Sequence, residues 1–185
     1  MSPRCSRGRL DSHTRRLVQL PLCELISIFG AWISLPEHYF RPVRDRIYTP
    51  ERTFWLFLYQ VLSERRVCRV AVHKALAWLA ATRGSHASTD PSAYRQARKR
   101  LPDSGLKAIS RQIVENVETN ASTQWRWRGH CVKVVDGSSV QMPDTPSNQK
   151  TWPQPSAQQP GCGFPVMRIV VMFSLATGAV LQWAE

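Results

Sequence analysis

Two kinds of side chain in this sequence are suited to chemistry on a polyanion: one carboxylate inside an apolar run, and several clusters of cations. Asp136-Gly137 follows Val132-Lys133-Val134-Val135. A carboxylate at the end of a central strand is a ligand for a divalent metal in phosphoryl transfer. Asp-Gly between alternating runs is, however, the commonest signature of a two-residue hairpin turn, and the pattern taken by itself favours that turn. Two-metal chemistry needs several carboxylates close together, so that each ion is neutralised and fixed on both sides of the scissile phosphate. Downstream of Asp136 the sequence offers only Asp144 and Glu185.

The cations fall in three groups. Arg65, Arg66, Arg69 and Lys74 decorate one predicted helix, with Arg65, Arg69 and His73 recurring four apart along one face. Arg95, Arg98, Lys99 and Arg100 concentrate charge on the outside of another. Arg126 and Arg128 alternate with Trp125 and Trp127. For the helical clusters the plain alternative is a solvated face, but few acids stand at i,i+4 to pair them, which favours phosphate contact. The Trp-Arg alternation suits base stacking or a phosphate; it equally suits a connecting strand whose indoles cap a core. His130-Cys131 and Gly161-Cys162-Gly163 lack the spacing of a zinc site, and no base can be assigned to Cys162.

Charge is unevenly distributed. The chain has 185 residues, 25 Lys+Arg against 13 Asp+Glu, and a formal net charge of +12. Residues 1–133 hold 23 of the basic groups and 10 of the acids, whereas 134–185 hold Lys150 and Arg168 against three acids. A folded domain this basic attracts polyanions at long range. Its 43% hydrophobic content excludes disorder along the whole chain. Five scattered cysteines without a CxxC pair point to reduced thiols in a cytoplasmic protein. Leu17–Leu35 contains Glu24 and Pro21, and Ile169–Ala184 is too short to span a bilayer, so no membrane partner is expected.

The elements that must position these groups follow from periodicity and caps. Residues 1–16 read as a basic mobile arm, and 17–35 as a short amphipathic helix broken at Pro21, followed by a kink at Pro36. Thr49-Pro50-Glu51 opens a helix with a cap, a proline at the first position and an acid at the positive end. Phe54, Phe57, Leu58, Val61 and Leu62 form its expected buried face. A second helix is predicted over 64–81, with Val67, Val70, Ala71, Leu76 and Leu79 as its apolar members. Thr82-Arg83-Gly84-Ser85 breaks the pattern, and Asp90-Pro91 starts a third helix that turns Tyr94, Ala97 and Leu101 inward. A fourth spans about 104–119, with Leu106, Ile109, Ile113 and Val117 inside.

Beyond Trp125 the period becomes alternating. Residues 131–135 read as a buried strand, and 138–142 as its continuation or return. Residues 143–165 form a connection with six prolines and no regular period. Residues 166–174 and 179–183 form a hairpin about Thr177-Gly178.

The stretch Val132-Lys133-Val134-Val135-Asp136-Gly137-Ser138-Ser139-Val140-Gln141-Met142-Pro143-Asp144-Thr145-Pro146-Ser147-Asn148-Gln149 resembles the first catalytic block of DDE transposases of bacterial insertion sequences, the type-four group. The resemblance continues through Trp152-Pro153-Gln154-Pro155, Pro160-Gly161-Cys162-Gly163-Phe164-Pro165, Arg168-Ile169-Val170 and Phe173-Ser174-Leu175-Ala176-Thr177-Gly178-Ala179. Upstream, the stretch from Ser88 to Pro102 and that from Phe54 to Ser63 resemble the helical blocks those proteins carry before the catalytic domain. The match covers about residues 40–185 in family order.

The resemblance implies an α+β chain: an N-terminal all-helical DNA-binding region, then the first β-strands of a truncated ribonuclease H-like domain. The divisions expected are a basic arm and short helix over 1–39, the helical DNA-binding region over 40–125, and the incomplete catalytic domain over 126–185. Asp136 is the expected first acid of the triad, which in the family binds two Mg²⁺ or Mn²⁺ ions for strand nicking and transfer. The other two acids of the family pattern fall beyond residue 185. The resemblance therefore implies binding of double-stranded DNA at transposon ends without independent catalysis. It also implies a nucleoid-associated location and pairing with a second copy or with full-length transposase. The alternative is a non-catalytic DNA-binding protein that inhibits transposition in trans.

Overall fold

The helix starts are written in the cap residues. In the computed structural model, which describes residues 7–42, 46–83, 87–159 and 161–185, seven α-helices precede the sheet. They are α1 (Arg7–Gln19), α2 (Leu22–Gly30), α3 (Glu37–Phe40), α4 (Pro50–Leu62), α5 (Cys68–Arg83), α6 (Ser92–Lys99) and α7 (Asp103–Thr119). Pro21 and Pro36 stand at the N-caps of α2 and α3, as the expected breaks require. Thr49 caps α4, its Oγ1 accepting the Arg52 N–H at 3.3 Å. Asp90 accepts both the backbone N–H and the hydroxyl of Ser92, each at 2.8 Å, and these bonds hold its carboxyl below the usual carboxylate range.

The chain divides into two compact units, Met1–Ile113 and Val114–Glu185. The first is built on α4, whose Phe54, Trp55, Leu56 and Tyr59 are buried together with Leu25 of α2, Val72 of α5 and Tyr94 of α6. Gly105 of α7 lets that helix approach closely: a Cβ there would lie 3.0 Å from both Phe40 Cε2 and Tyr39 Cβ.

Three sequence expectations in this unit need correction, and a fourth falls outside the described residues. The arm is helical from residue 7 onward, because Thr14, Leu17 and Val18 recur at helical spacing and are half-buried, Val18 against the core; residues 1–6 lie outside the described residues. The buried face of α4 is rotated. Thr53, Trp55, Leu56 and Gln60 are buried along with Phe54, whereas Val61 is exposed, because packing partners rather than hydropathy select the face. α5 starts at Cys68, so Arg65 and Val67 sit in the preceding turn and outside the helix; Arg65, Arg69 and His73 therefore do not form one helical row. The expected break after residue 83 falls on residues 84–86, outside the described residues.

The second unit holds the end of α7, a 3-10 turn at Thr123–Trp125, β1 (Lys133–Gln141), α8 (Pro146–Thr151), β2 (Val166–Ser174) and β3 (Val180–Ala184). The three strands form one antiparallel sheet in the order β1-β2-β3. The hairpin about Thr177-Gly178 forms as expected, with Gly178 at φ 71°.

The structure is thus α+β, a helical part followed by a small antiparallel sheet. β1 runs unbroken through Asp136 and Gly137, which oppose Val171 and Val170, so Asp-Gly is not a hairpin turn here. Nor is the strand buried or central: β1 is an edge strand and all of its residues are exposed. The stretch 143–165 is not wholly irregular, since Thr145-Pro146 caps α8 in the same way that Thr49-Pro50 caps α4. Pro160, within that stretch, lies outside the described residues.

Candidate nucleic-acid interface

Nearly all of the cations named from the sequence lie at the surface of their unit, and two turn inward. Arg65, Arg66, Arg69, Arg95, Lys99 and Arg100 are exposed in the first unit. Among the described residues the only ion pair is Arg15–Glu64 at 3.5 Å, so none of these six has a carboxylate at ion-pair distance there, although the Arg95 charge is felt by Asp90. Lys74 behaves otherwise. Its ammonium donates to the Val18 carbonyl at 3.5 Å and to the Leu20 carbonyl, and lies 4.7 Å from the Tyr59 ring centroid. Burial lowers its pKa, partly opposed by Cys23. It serves the carbonyl end of α1, where a cation is favoured by the helix dipole.

Arg98 also departs from the expected outer row. Its Nη1 donates to Gln60 Oε1 at 3.2 Å and contacts Cys68 Sγ at 3.9 Å, and its guanidinium lies 5.8 Å from the Phe57 ring centroid. Tyr94 Oη donates to the same Gln60 oxygen at 2.8 Å, while Gln60 Nε2 donates to the Arg66 carbonyl at 2.8 Å. Burial raises the Tyr94 pKa, an effect the nearby Arg98 charge opposes. This network holds the Arg65-Arg66 turn and the start of α5 against α6. Arg98 thereby positions exposed cations on both sides of it.

A pocket of about 380 Å³ opens beside α4, lined by Arg46, Tyr48, Thr49, Pro50, Thr53, Ala97 and Arg100. Sequence reading missed Arg46, because residues 41–46 carry no period; the only available signal was the density of arginines in that run.

In the second unit, Trp127-Arg128-Gly129-His130 is a tight reversal. Trp127 N–H donates to the His130 carbonyl at 3.2 Å and His130 N–H donates back at 2.9 Å. Arg128 and Gly129 both have positive φ, 50° and 81°, the pattern of a type I′ turn. Trp125 and Trp127 are 58% and 57% exposed, so they do not cap a core. The Arg128 guanidinium lies 5.1 Å from the Trp127 ring centroid.

Asp136 is exposed in the middle of β1. Asp144 accepts a hydrogen bond from Gln149 Nε2 at 2.9 Å in the loop after β1. Among the described residues no three His, Cys, Asp or Glu side chains come together as a metal site. One exposed carboxylate does not fit a pair of divalent ions, each of which needs ligands on several sides. The four described cysteines are free thiols, Cys5 lying outside the described residues. Among the described residues, no helix is long and apolar enough to cross a membrane. Comparison of the chain with protein-family models, with curated proteins and with solved structures finds no match.

Proposed function

We propose that the helical unit binds double-stranded DNA through its phosphate backbone, and that the chain acts at transposon ends as a protein of the DDE transposase kind. The observation that carries DNA binding is the set of six exposed cations, Arg65, Arg66, Arg69, Arg95, Lys99 and Arg100, with no carboxylate at ion-pair distance among the described residues. Phosphates release condensed counterions when such groups replace them, and that release drives association. The sequence resemblance supports the transposase reading, as does Asp136 standing on the first strand of a three-stranded antiparallel sheet that could open a ribonuclease H-like domain. Such a protein would reside on the nucleoid.

Strand cleavage by these 185 residues is not part of the proposal, because Asp136 has no carboxylate cluster among the described residues. The same observation favours a second reading, a DNA-binding protein that occupies transposon ends and suppresses transposition in trans.

The test is DNA affinity measured against salt. If all six cations reach phosphates, log K falls with log[salt] at a slope of about −5. Salt-independent or absent binding overturns the proposal. In a nicking assay with Mg²⁺ or Mn²⁺ the chain is expected to be inactive; robust nicking lost in Asp136→Ala would overturn the non-catalytic part. Suppression of transposition in trans would favour the inhibitory reading, and equal affinity for unrelated single-stranded probes would point to a general nucleic-acid binder instead.

A further inference from the structure

The pocket beside α4 carries more than the general basicity of the unit. Tyr48, Pro50 and Ala97 contribute ring and aliphatic surface to its lining, together with two arginines from separate segments, Arg46 before α4 and Arg100 at the end of α6. Neither has a carboxylate at ion-pair distance among the described residues.

Among the lining hydroxyls only that of Thr53 has its proton committed, while those of Tyr48 and Thr49 remain as neutral donors. Thr53 Oγ1 donates to the Thr49 carbonyl at 2.7 Å, and Thr49 Oγ1 accepts the Arg52 N–H. The guanidinium groups of Arg46 and Arg100 therefore supply the charged donors of the lining. The Arg46 segment is itself tied down: Arg52 Nη1 donates to the Arg46 carbonyl at 2.9 Å and to the Ile47 carbonyl at 3.3 Å. The Arg52 guanidinium is held in turn 5.0 Å from the Trp78 ring centroid.

We infer that this pocket seats one backbone phosphate of bound DNA, held by Arg46 and Arg100, with the adjoining deoxyribose against Tyr48, Pro50 and Ala97. Two arginines from different segments line the same pocket, and planar guanidinium forks suit the oxygens of a tetrahedral anion better than the point charge of lysine does. The apolar wall suits a phosphodiester, which brings a sugar with its charge. The positive end of α4 adds to the field at the same place. Sited before α4, Arg46 extends the DNA-contacting set beyond the predicted clusters. The inference rests on the DNA-binding reading of the helical unit.

The test compares the full chain with an Arg46→Gln/Arg100→Gln variant on several unrelated duplexes. Both arginines are exposed, so the thermal transition should be unchanged. The expected result is weaker binding by a similar factor on every duplex, with the salt slope reduced by about 0.9, one phosphate's share. Arg100→Lys should recover part of the affinity. A variant with wild-type affinity and slope overturns the pocket assignment and removes Arg100 from the DNA-contacting set, leaving DNA binding to the other five exposed cations. Absence of DNA binding by the wild-type chain overturns both. A wild-type chain that ignores DNA but is stabilised by inorganic phosphate, with the variant insensitive, would assign the pocket to a free phosphate ester and overturn the backbone seat.

Discussion

Leu56 in α4 and Val135 in β1 both belong to apolar runs, yet Leu56 is 2% exposed and Val135 63%. The helical unit closes on itself: α4 is covered by residues from α2, α5 and α6, and its polar members Thr53 and Gln60 find partners inside. The sheet unit pairs β2 on both sides and β1 and β3 on one, while leaving valines on both faces of β1 in the open. Hydrogen bonding and burial are separate requirements, and the second unit meets the first of them far more fully than the second.

The sharpest way to break this comparison is to truncate equivalent apolar side chains. Leu56→Ala should destabilise the helical unit by about 2–5 kcal/mol, through lost burial plus a cavity. Val135→Ala should stay within about 0.5 kcal/mol, as surface substitutions do. Thermal melts followed by helical circular dichroism, with amide exchange for the sheet, distinguish them; equal losses would show that the two environments are alike.

Close packing can be probed by filling rather than emptying. Gly105→Ala gains about 1 kcal/mol in helix propensity. Against that, it drives a methyl to 3.0 Å from Tyr39 Cβ and 3.1 Å from Pro102 Cγ, which are not free chain ends. Overpacking of this kind costs about 1–3 kcal/mol, so a net loss is expected, and a raised melting temperature would contradict it.

The two Thr-Pro caps offer a finer contrast. Thr49→Ala should cost about 1 kcal/mol, the usual worth of such a cap. Thr145→Ala, at the head of a six-residue helix with no buried residue, should cost less than about 0.5 kcal/mol. Amide exchange at Arg52 and Asn148 reports each site directly.

The smallest effect concerns pH. Thr177 Oγ1 donates to Glu118 Oε1 at 2.6 Å. Hydrogen bonds from Thr177 and then Ser174, followed by the charges of Lys133 and Arg126, hold the Glu118 carboxyl below the usual range. Because the folded value is depressed, its contribution is complete above the ordinary glutamate pKa of about 4.3. That contribution disappears as pH falls through the folded value. Stability of the second unit should therefore decline on acidification below about pH 4.3, with a smaller decline in Thr177→Val. An identical acid profile in the two proteins would remove Glu118 from the account.

Local signals were the legible part of the sequence. Thr49-Pro50, Pro21 and Pro36 each mark a helix start that the structure has, and Asp90-Pro91 marks one displaced by a residue, with Pro91 rather than Asp90 at the N-cap of α6, because such signals act between neighbours in the chain. Thr145-Pro146 carries the same signal and was obscured by the prolines around it. Reach and coverage were not legible. Periodicity placed Lys74 and Arg98 on outer faces, but a long side chain can fold its charge back onto carbonyls and an amide that sequence does not bring into view. Asp136-Gly137 fits a turn locally; nine consecutive pairings with β2 override it. The cation clusters were visible as composition, whereas Arg46 became visible only when α6 brought Arg100 to the same pocket.

Gln60 has a consequence of its own. Its oxygen end receives Tyr94 and Arg98 from α6, and its nitrogen end gives to the carbonyl of Arg66, a residue held at φ 49°. An amide has two unlike ends, so this one works as a keyed plug: turned over, it would set donor against donor and carbonyl against carbonyl. The turn between α4 and α5 and the side chains of α6 can thus engage in only one sense. A symmetrical replacement such as leucine would fill the same space without telling the two sides apart.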